Sequence, residues 1–205
     1  MIEIVHAENG DKVLRFDGRL LASRFDPRQE AQAWVAKRLH FLDKVRTIFI
    51  LGMGSGHHVA ELLHVSPANQ VVIEASPEIL AASLQVQEFS HARVTILHVP
   101  SGRSLRMMDA VKNAVRESFV VVSHTPSITL FPEVYRQCRE QLLGRDWGNL
   151  NWQWKLRNGP SFDKAARIHP AGEPLSLHDL EQTELVQNSE ERERLLFKAL
   201  RELVK

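Results

Sequence analysis

The sequence predicts an α/β protein: a Rossmann-like parallel sheet with helices on both faces, an N-terminal β-meander and a helical C-terminal extension. Three observations predict it. Four short, β-branched apolar runs alternate with helical stretches, a glycine-rich turn follows the first of those runs, and the alternation stops after Leu142. The chain accordingly divides into residues 1–45 (meander and helix), 46–142 (Rossmann-like core) and 143–205 (helical extension).

In chain order, Ile2–Val5 and Lys12–Phe16 flank Asn9-Gly10, a two-residue hairpin signal because both residues tolerate positive φ. Asp17-Gly18 turns the chain again before Arg19–Ser23. A helix follows, with Asp26 as cap, Pro27 in the first turn and Gln29 at the capping-box position; Ala31, Trp34, Val35 and Leu39 form its apolar stripe. The runs Thr47–Leu51, Gln70–Ile73, Val94–Val99 and Phe119–Val122 read as buried parallel strands. Helices are expected over His57–His64, Pro77–Val86, Ser104–Arg116 and Pro132–Leu142. Beyond these, Trp147, Trp152 and Trp154 crowd a polar stretch that stops at Asn158-Gly159-Pro160, and the tryptophans read as pinning a terminal helix. Ser161–Leu177 is loop-like. From Ser189 a last helix gathers Leu195, Leu196, Ala199, Leu200, Leu203 and Val204 on one side, an apolar stripe suited to a homodimer.

Composition narrows the function classes. With 26 basic and 25 acidic residues the net charge is +1, so no general field draws the chain to nucleic acid or to an anionic membrane. The single Cys138 excludes an intramolecular disulfide and a Cys-rich zinc site. No run approaches the ~18 apolar residues of a membrane span, and the acidic N-terminus is not a secretory signal; the expected location is the cytoplasm.

The chemistry concentrates at Gly52-Met53-Gly54-Ser55-Gly56, where a strand runs into a glycine turn and then a helix. Glycine lets a ligand approach the backbone amides and the helix N-terminus closely. Glu74 ends the next strand, where a carboxylate can hold ribose hydroxyls. The G-x-G-x-G spacing resembles the loop of class I S-adenosylmethionine-dependent methyltransferases more than the NAD pattern, since His57 stands at the third glycine of the latter. Gly52, Gly54, Ser55, Gly56, Glu74 and His124 are therefore the expected ligand-binding set, with S-adenosylmethionine or another nucleotide-type molecule as ligand and no catalytic residue assigned. The structural alternative is that the glycines serve only a tight turn. Leu97-His98-Val99-Pro100 and Val122-Ser123-His124-Thr125-Pro126 lack the acidic and Pro-Pro-aromatic signatures of many methyltransferases.

Four collinear segments resemble the N-terminal region of the motility-associated factor glycosyltransferases, a family linked to flagellin glycosylation. They are Ser23-Arg24-Phe25-Asp26-Pro27 with Glu30-Ala31; Leu51–Gly56 with His58; Ile73-Glu74 with Pro77-Glu78; and His124, Pro126 and Phe131-Pro132-Glu133-Val134-Tyr135. The resemblance implies a Rossmann-like domain standing as an accessory region, because that family's sugar transfer is assigned to a later sialyltransferase-like domain.

His57, His58 and His64 lack the cysteine or paired acid that would complete a metal site, so no metal is expected and the imidazoles read as solvated or ligand-facing. Ser123 and His124 fall at a strand's carboxyl end, where open α/β sheets bind ligands. Ser101-Gly102-Arg103-Ser104 reads as a turn and cap. The leading expectation is thus an accessory, nucleotide-binding protein of flagellar or surface-glycan glycosylation. The alternatives are a methyltransferase of unknown acceptor and a non-catalytic interaction protein.

Overall fold

The computed structural model of the chain describes residues 1–42, 44–89 and 92–159. The expected loop over Ser161–Leu177, the helix from Ser189 and the homodimer contact assigned to that helix lie outside the described residues. Contacts group Met1–Asn149 into one compact unit and Leu150–Lys205 into a second.

Strand β1 (Ile2–His6) pairs antiparallel with β2 (Lys12–Phe16), Ile2 facing Phe16, and Gly10 supplies the positive φ of +86° that the turn requires. Strand β3 (Arg19–Leu20) is shorter than the expected Arg19–Ser23. The reason is that Ser23 serves the next helix instead. Its Oγ accepts from the amides of Phe25 and Asp26, and its own N–H donates to Glu30. Asp26 caps α1 (Pro27–Ala36), accepting from Arg28 N at 3.0 Å and Gln29 N at 2.9 Å. The helix stops at Ala36, and Leu39 belongs to a separate short α2 (Leu39–Leu42).

Strands β4 (Thr47–Leu51), β5 (Asn69–Glu74), β6 (Val94–His98) and β7 (Phe119–Ser123) form one parallel sheet in the order β6-β5-β4-β7. Every residue of β4 is buried, as a strand covered on both faces must be. Ile48, Ile50, Val72 and Val122 pack with Val35, Val59 and Leu62, joining the sheet to α1 and to α3 (His57–Val65). Residues alternate faces along a strand. Phe49 therefore points the other way, where it meets Phe119 edge-on at 5.3 Å and α7 (Pro132–Leu143) lies against β4 and β7. Helix α4 (Pro77–Val86), capped by Ser76, buries Ile79 and Ala82 against Leu14 and Leu21 of the meander. The meander is thereby fixed to the core.

Two departures from expectation flank the sheet. The helix expected over Ser104–Arg116 divides into a 3-10 turn (Gly102–Met107) and α5 (Asp109–Ala114), because Met108 between them is extended, with ψ 122°. An additional helix, α6 (Thr125–Leu130), follows β7 directly; Pro126 stands in its first turn, where the missing N–H costs nothing. Helix α8 (Trp147–Asn158) carries the three tryptophans and ends before Gly159, whose φ is +84°.

Candidate ligand-binding site

The glycine loop joins β4 to α3, and its backbone is folded inward. Residues 51–59 are all buried. A Cβ on Gly54 would lie 2.4 Å from His124 Cε1 and 3.1 Å from the Leu21 carbonyl oxygen, and one on Gly52 would lie 2.2 Å from Ser127 Cβ. Both positions also have positive φ, so side chains are excluded twice over, by strain and by neighbours from the same chain. The meander and α4 close the loop further. Ser55 Oγ accepts from Leu14 N at 2.9 Å, and the Ser83 hydroxyl donates to the Gly54 carbonyl at 2.5 Å.

Glu74 stands at the end of β5 as expected, but its carboxylate is fully buried. Oε2 accepts from Met53 N at 2.8 Å; Oε1 accepts from Ser76 N at 3.0 Å and from the Tyr135 hydroxyl at 3.0 Å. The same hydroxyl accepts from Ala75 N at 3.2 Å. Burial pushes the Glu74 pKa up, and the surrounding donors partly oppose it. Burial likewise raises the Tyr135 pKa, with the adjacent Glu74 adding to it. Where the sequence led us to expect a ribose, the carboxylate holds the glycine loop, the start of α4 and α7 together.

An open cleft of about 130 Å³ lies beside this closed loop. Three segments line it: Leu21, Ala22, Pro27, Glu30, Ala31 and Trp34 from the meander's exit and α1; Ser55, His57 and His58 after β4; and His124, Thr125 and Pro126 after β7. The sheet order places it. The chain leaves β4 towards β5 and β6, then returns past β4 to β7, so the order reverses between β4 and β7. At such a reversal the two following segments diverge and leave a crevice at the strands' carboxyl ends.

The imidazoles dominate the cleft. His58 and His124 are 4% and 6% exposed, with rings stacked at 4.1 Å and 4° from parallel. Trp34 lies against His58 at 5.1 Å, and the Arg38 guanidinium sits 4.0 Å over the Trp34 ring. His58 Nε2 donates to the Gly52 carbonyl at 3.1 Å, and His124 Nδ1 meets Ser127 Oγ at 2.8 Å. Burial lowers the His58 pKa to about 4 and holds that of His124 well below its usual value, with mutual repulsion contributing in His124. Both rings are neutral near pH 7. His57 faces the meander instead: Nε2 donates to the Lys12 carbonyl at 2.9 Å and Nδ1 accepts from Gln87 Nε2 at 3.0 Å. These histidines are buried rather than solvated. Among the described residues no group of three or more His, Cys, Asp or Glu side chains is placed to hold a metal ion.

Residues 3–108, just over half of the chain, match the model of the glycosyltransferase Maf N-terminal domain. The chain belongs to this family. Membership connects it with glycosylation, and the matched span includes the glycine loop and Glu74 while His124 lies beyond it. The Maf N-terminal domain also resembles in fold a spermidine synthase solved in complex with the transition-state analogue AdoDATO, with a TM-score of 0.50 and 15% identity over 76% of this chain. It spans 60% of that enzyme's length. Spermidine synthase from Thermotoga maritima gives a TM-score of 0.48 and 16% identity over 76% of this chain and 59% of its own. No curated protein sequence matches. Among the described residues no helix is long and apolar enough to cross a membrane.

Of the expected ligand-binding set, Ser55 and His124 line the cleft together with His57 and His58, whereas Gly52, Gly54, Gly56 and Glu74 build its closed neighbour. Trp34 and Glu30 went unrecognised as site residues because helical spacing assigns Trp34 to a core stripe and Glu30 to the helix start. The available signal was that Ser23–Pro27 with Glu30-Ala31, His58 and His124 all fall in segments that resemble one family.

Proposed function

We propose that this Maf N-terminal domain is an accessory module of flagellar or surface-glycan glycosylation that binds a nucleotide-type ligand in the cleft between β4 and β7. The observation that carries the proposal is the coincidence, at the sheet's switch point, of an open cleft with two deeply buried imidazoles whose second nitrogens have no hydrogen-bond partner among the described residues. The cleft is smaller than the ~300–1,000 Å³ typical of sites that enclose a drug-sized ligand. It takes one flat ring beside Trp34 and the histidine pair, with the rest of the ligand outside.

S-adenosylmethionine fits the fold but not this loop. Such a ligand needs open glycine backbone and a free carboxylate edge, whereas Gly54 faces His124 and Glu74 is covered by Tyr135. No methyl-transfer step is assigned. The module's part in glycosylation is recognition.

A thermal-shift screen of the purified chain tests the proposal against ADP, UDP, nucleotide-sugars, S-adenosylmethionine and S-adenosylhomocysteine. A ligand at ~100 times its Kd adds about 2.7 kcal/mol of apparent stability. At least one nucleotide or nucleotide-sugar is expected to raise the melting temperature, with S-adenosylmethionine inert. Stabilisation by S-adenosylmethionine alone would restore the methyltransferase reading, and no shift by any compound would leave an interaction module.

A further inference from the structure

The cleft's two imidazoles differ in what they offer a ligand, and this inference rests on the reading of the cleft as the ligand site. The Gly52 carbonyl can only accept, so His58 Nε2 carries the proton and His58 Nδ1 in the neutral ring is a bare acceptor. Ser127 is fully buried, and His124 Nδ1 is its hydroxyl's one side-chain partner among the described residues. A buried hydroxyl hydrogen left unbonded is costly, so Ser127 donates to His124 Nδ1 and His124 Nε2 carries the proton. The stacked pair therefore presents an acceptor on one ring and a donor on the other, 4.1 Å apart between ring centres. Neither nitrogen has a hydrogen-bond partner among the described residues, although both side chains are more than nine-tenths buried.

We propose that this pair recognises a cyclic cis-amide, a lactam, whose N–H is given to His58 Nδ1 and whose C=O on the same edge accepts from His124 Nε2. An ether meets only the donor and a carboxylate would be repelled by the bare lone pair of His58; a single hydroxyl can both donate and accept, but the apolar walls of the cleft favour a flat ring that carries both groups on one edge. The lactam edge of a pyrimidine base has this arrangement, whereas the acyclic acetamido group of an amino sugar holds its N–H and C=O on opposite sides and cannot offer both. Ala22, Trp34 and Pro126 supply the apolar walls for the ring that carries the lactam.

Calorimetric titration of the purified full chain with uridine, N3-methyluridine, N-acetylglucosamine and glucose, alongside ADP, tests this. The methylated and hydroxyl compounds lack the amide N–H, so the result needs no protein variant. The expected outcome is that uridine binds at least tenfold more tightly than N3-methyluridine, and more tightly than N-acetylglucosamine or glucose. His58→Phe, which retains a flat ring and loses the acceptor for that N–H, should remove the same discrimination. Equal binding of uridine and N3-methyluridine, or tighter binding of glucose than of uridine, overturns the lactam assignment. So does binding of ADP without binding of uridine, although the nucleotide site would then stand. If nothing binds, both fall.

Discussion

The rings of His58 and His124 lie face to face, 4.1 Å apart and 4° from parallel, inside the cleft between β4 and β7. Two imidazoles so placed cannot both be protonated without strong repulsion in a poorly solvated setting. For His58 the folded pKa is about 4 against an ordinary 6.5, so between those values the unfolded chain binds the proton and the folded chain does not. Stability from this residue is fully present above about pH 6.5 and is lost as pH falls towards 4, on the order of 3 kcal/mol in all. The raised pKa of Glu74 acts in the opposite sense, so the comparison must be with a variant. In His58→Gln, urea denaturation should show a shallower loss of stability between pH 6.5 and 4 than the wild type. Parallel profiles would show that the ring is not held neutral.

The Tyr135 hydroxyl bridges Glu74 Oε1 and Ala75 N. Tyr135→Phe leaves a buried amide without its partner and removes one donor from the carboxylate, at a cost of about 1–3 kcal/mol. Glu74→Gln should destabilise by a similar amount. The two changes should be less than additive in a double-mutant cycle, since they break one network. Additive effects would separate Glu74 from Tyr135 and reopen a ligand role for the acid.

Gly54→Ala places a methyl group 2.4 Å from His124 Cε1 at a φ of +51°. The backbone strain alone costs roughly 1–2 kcal/mol, and the contact adds to it. Combining Gly54→Ala with His124→Ala should recover part of the loss relative to the sum of the single changes. Thermal melts of the four proteins check this; no recovery would mean that the loop does not rest on His124.

The strands were legible because β-branched apolar runs bounded by turns leave little alternative, and the β4–α3 turn was legible because three glycines follow such a run. Helix α6 was not, since Thr125-Pro126 reads equally as the end of a strand. The interior role of Glu74 was hidden because its partner Tyr135 lies 61 residues away. The cleft was hidden for a related reason. Leu21–Trp34, Ser55–His58 and His124–Pro126 meet only once the sheet has adopted the order β6-β5-β4-β7. Strand order follows from packing, and no local pattern records it. Family resemblance pointed to the right segments without saying which of their side chains face open space.

In the proposed complex a ring of a nucleotide-type ligand enters beside His58 and His124 and leaves the glycine loop closed. Histidine ring signals followed by NMR while the full chain is titrated with ADP and UDP measure this most directly. Saturable shifts of the His58 and His124 signals are expected with at least one nucleotide, and none for His64, which is exposed near the end of α3. Still His58 and His124 signals at a nucleotide concentration that saturates the amides of Gly54 and Ser76 would contradict that placement and return the ligand to the glycine loop.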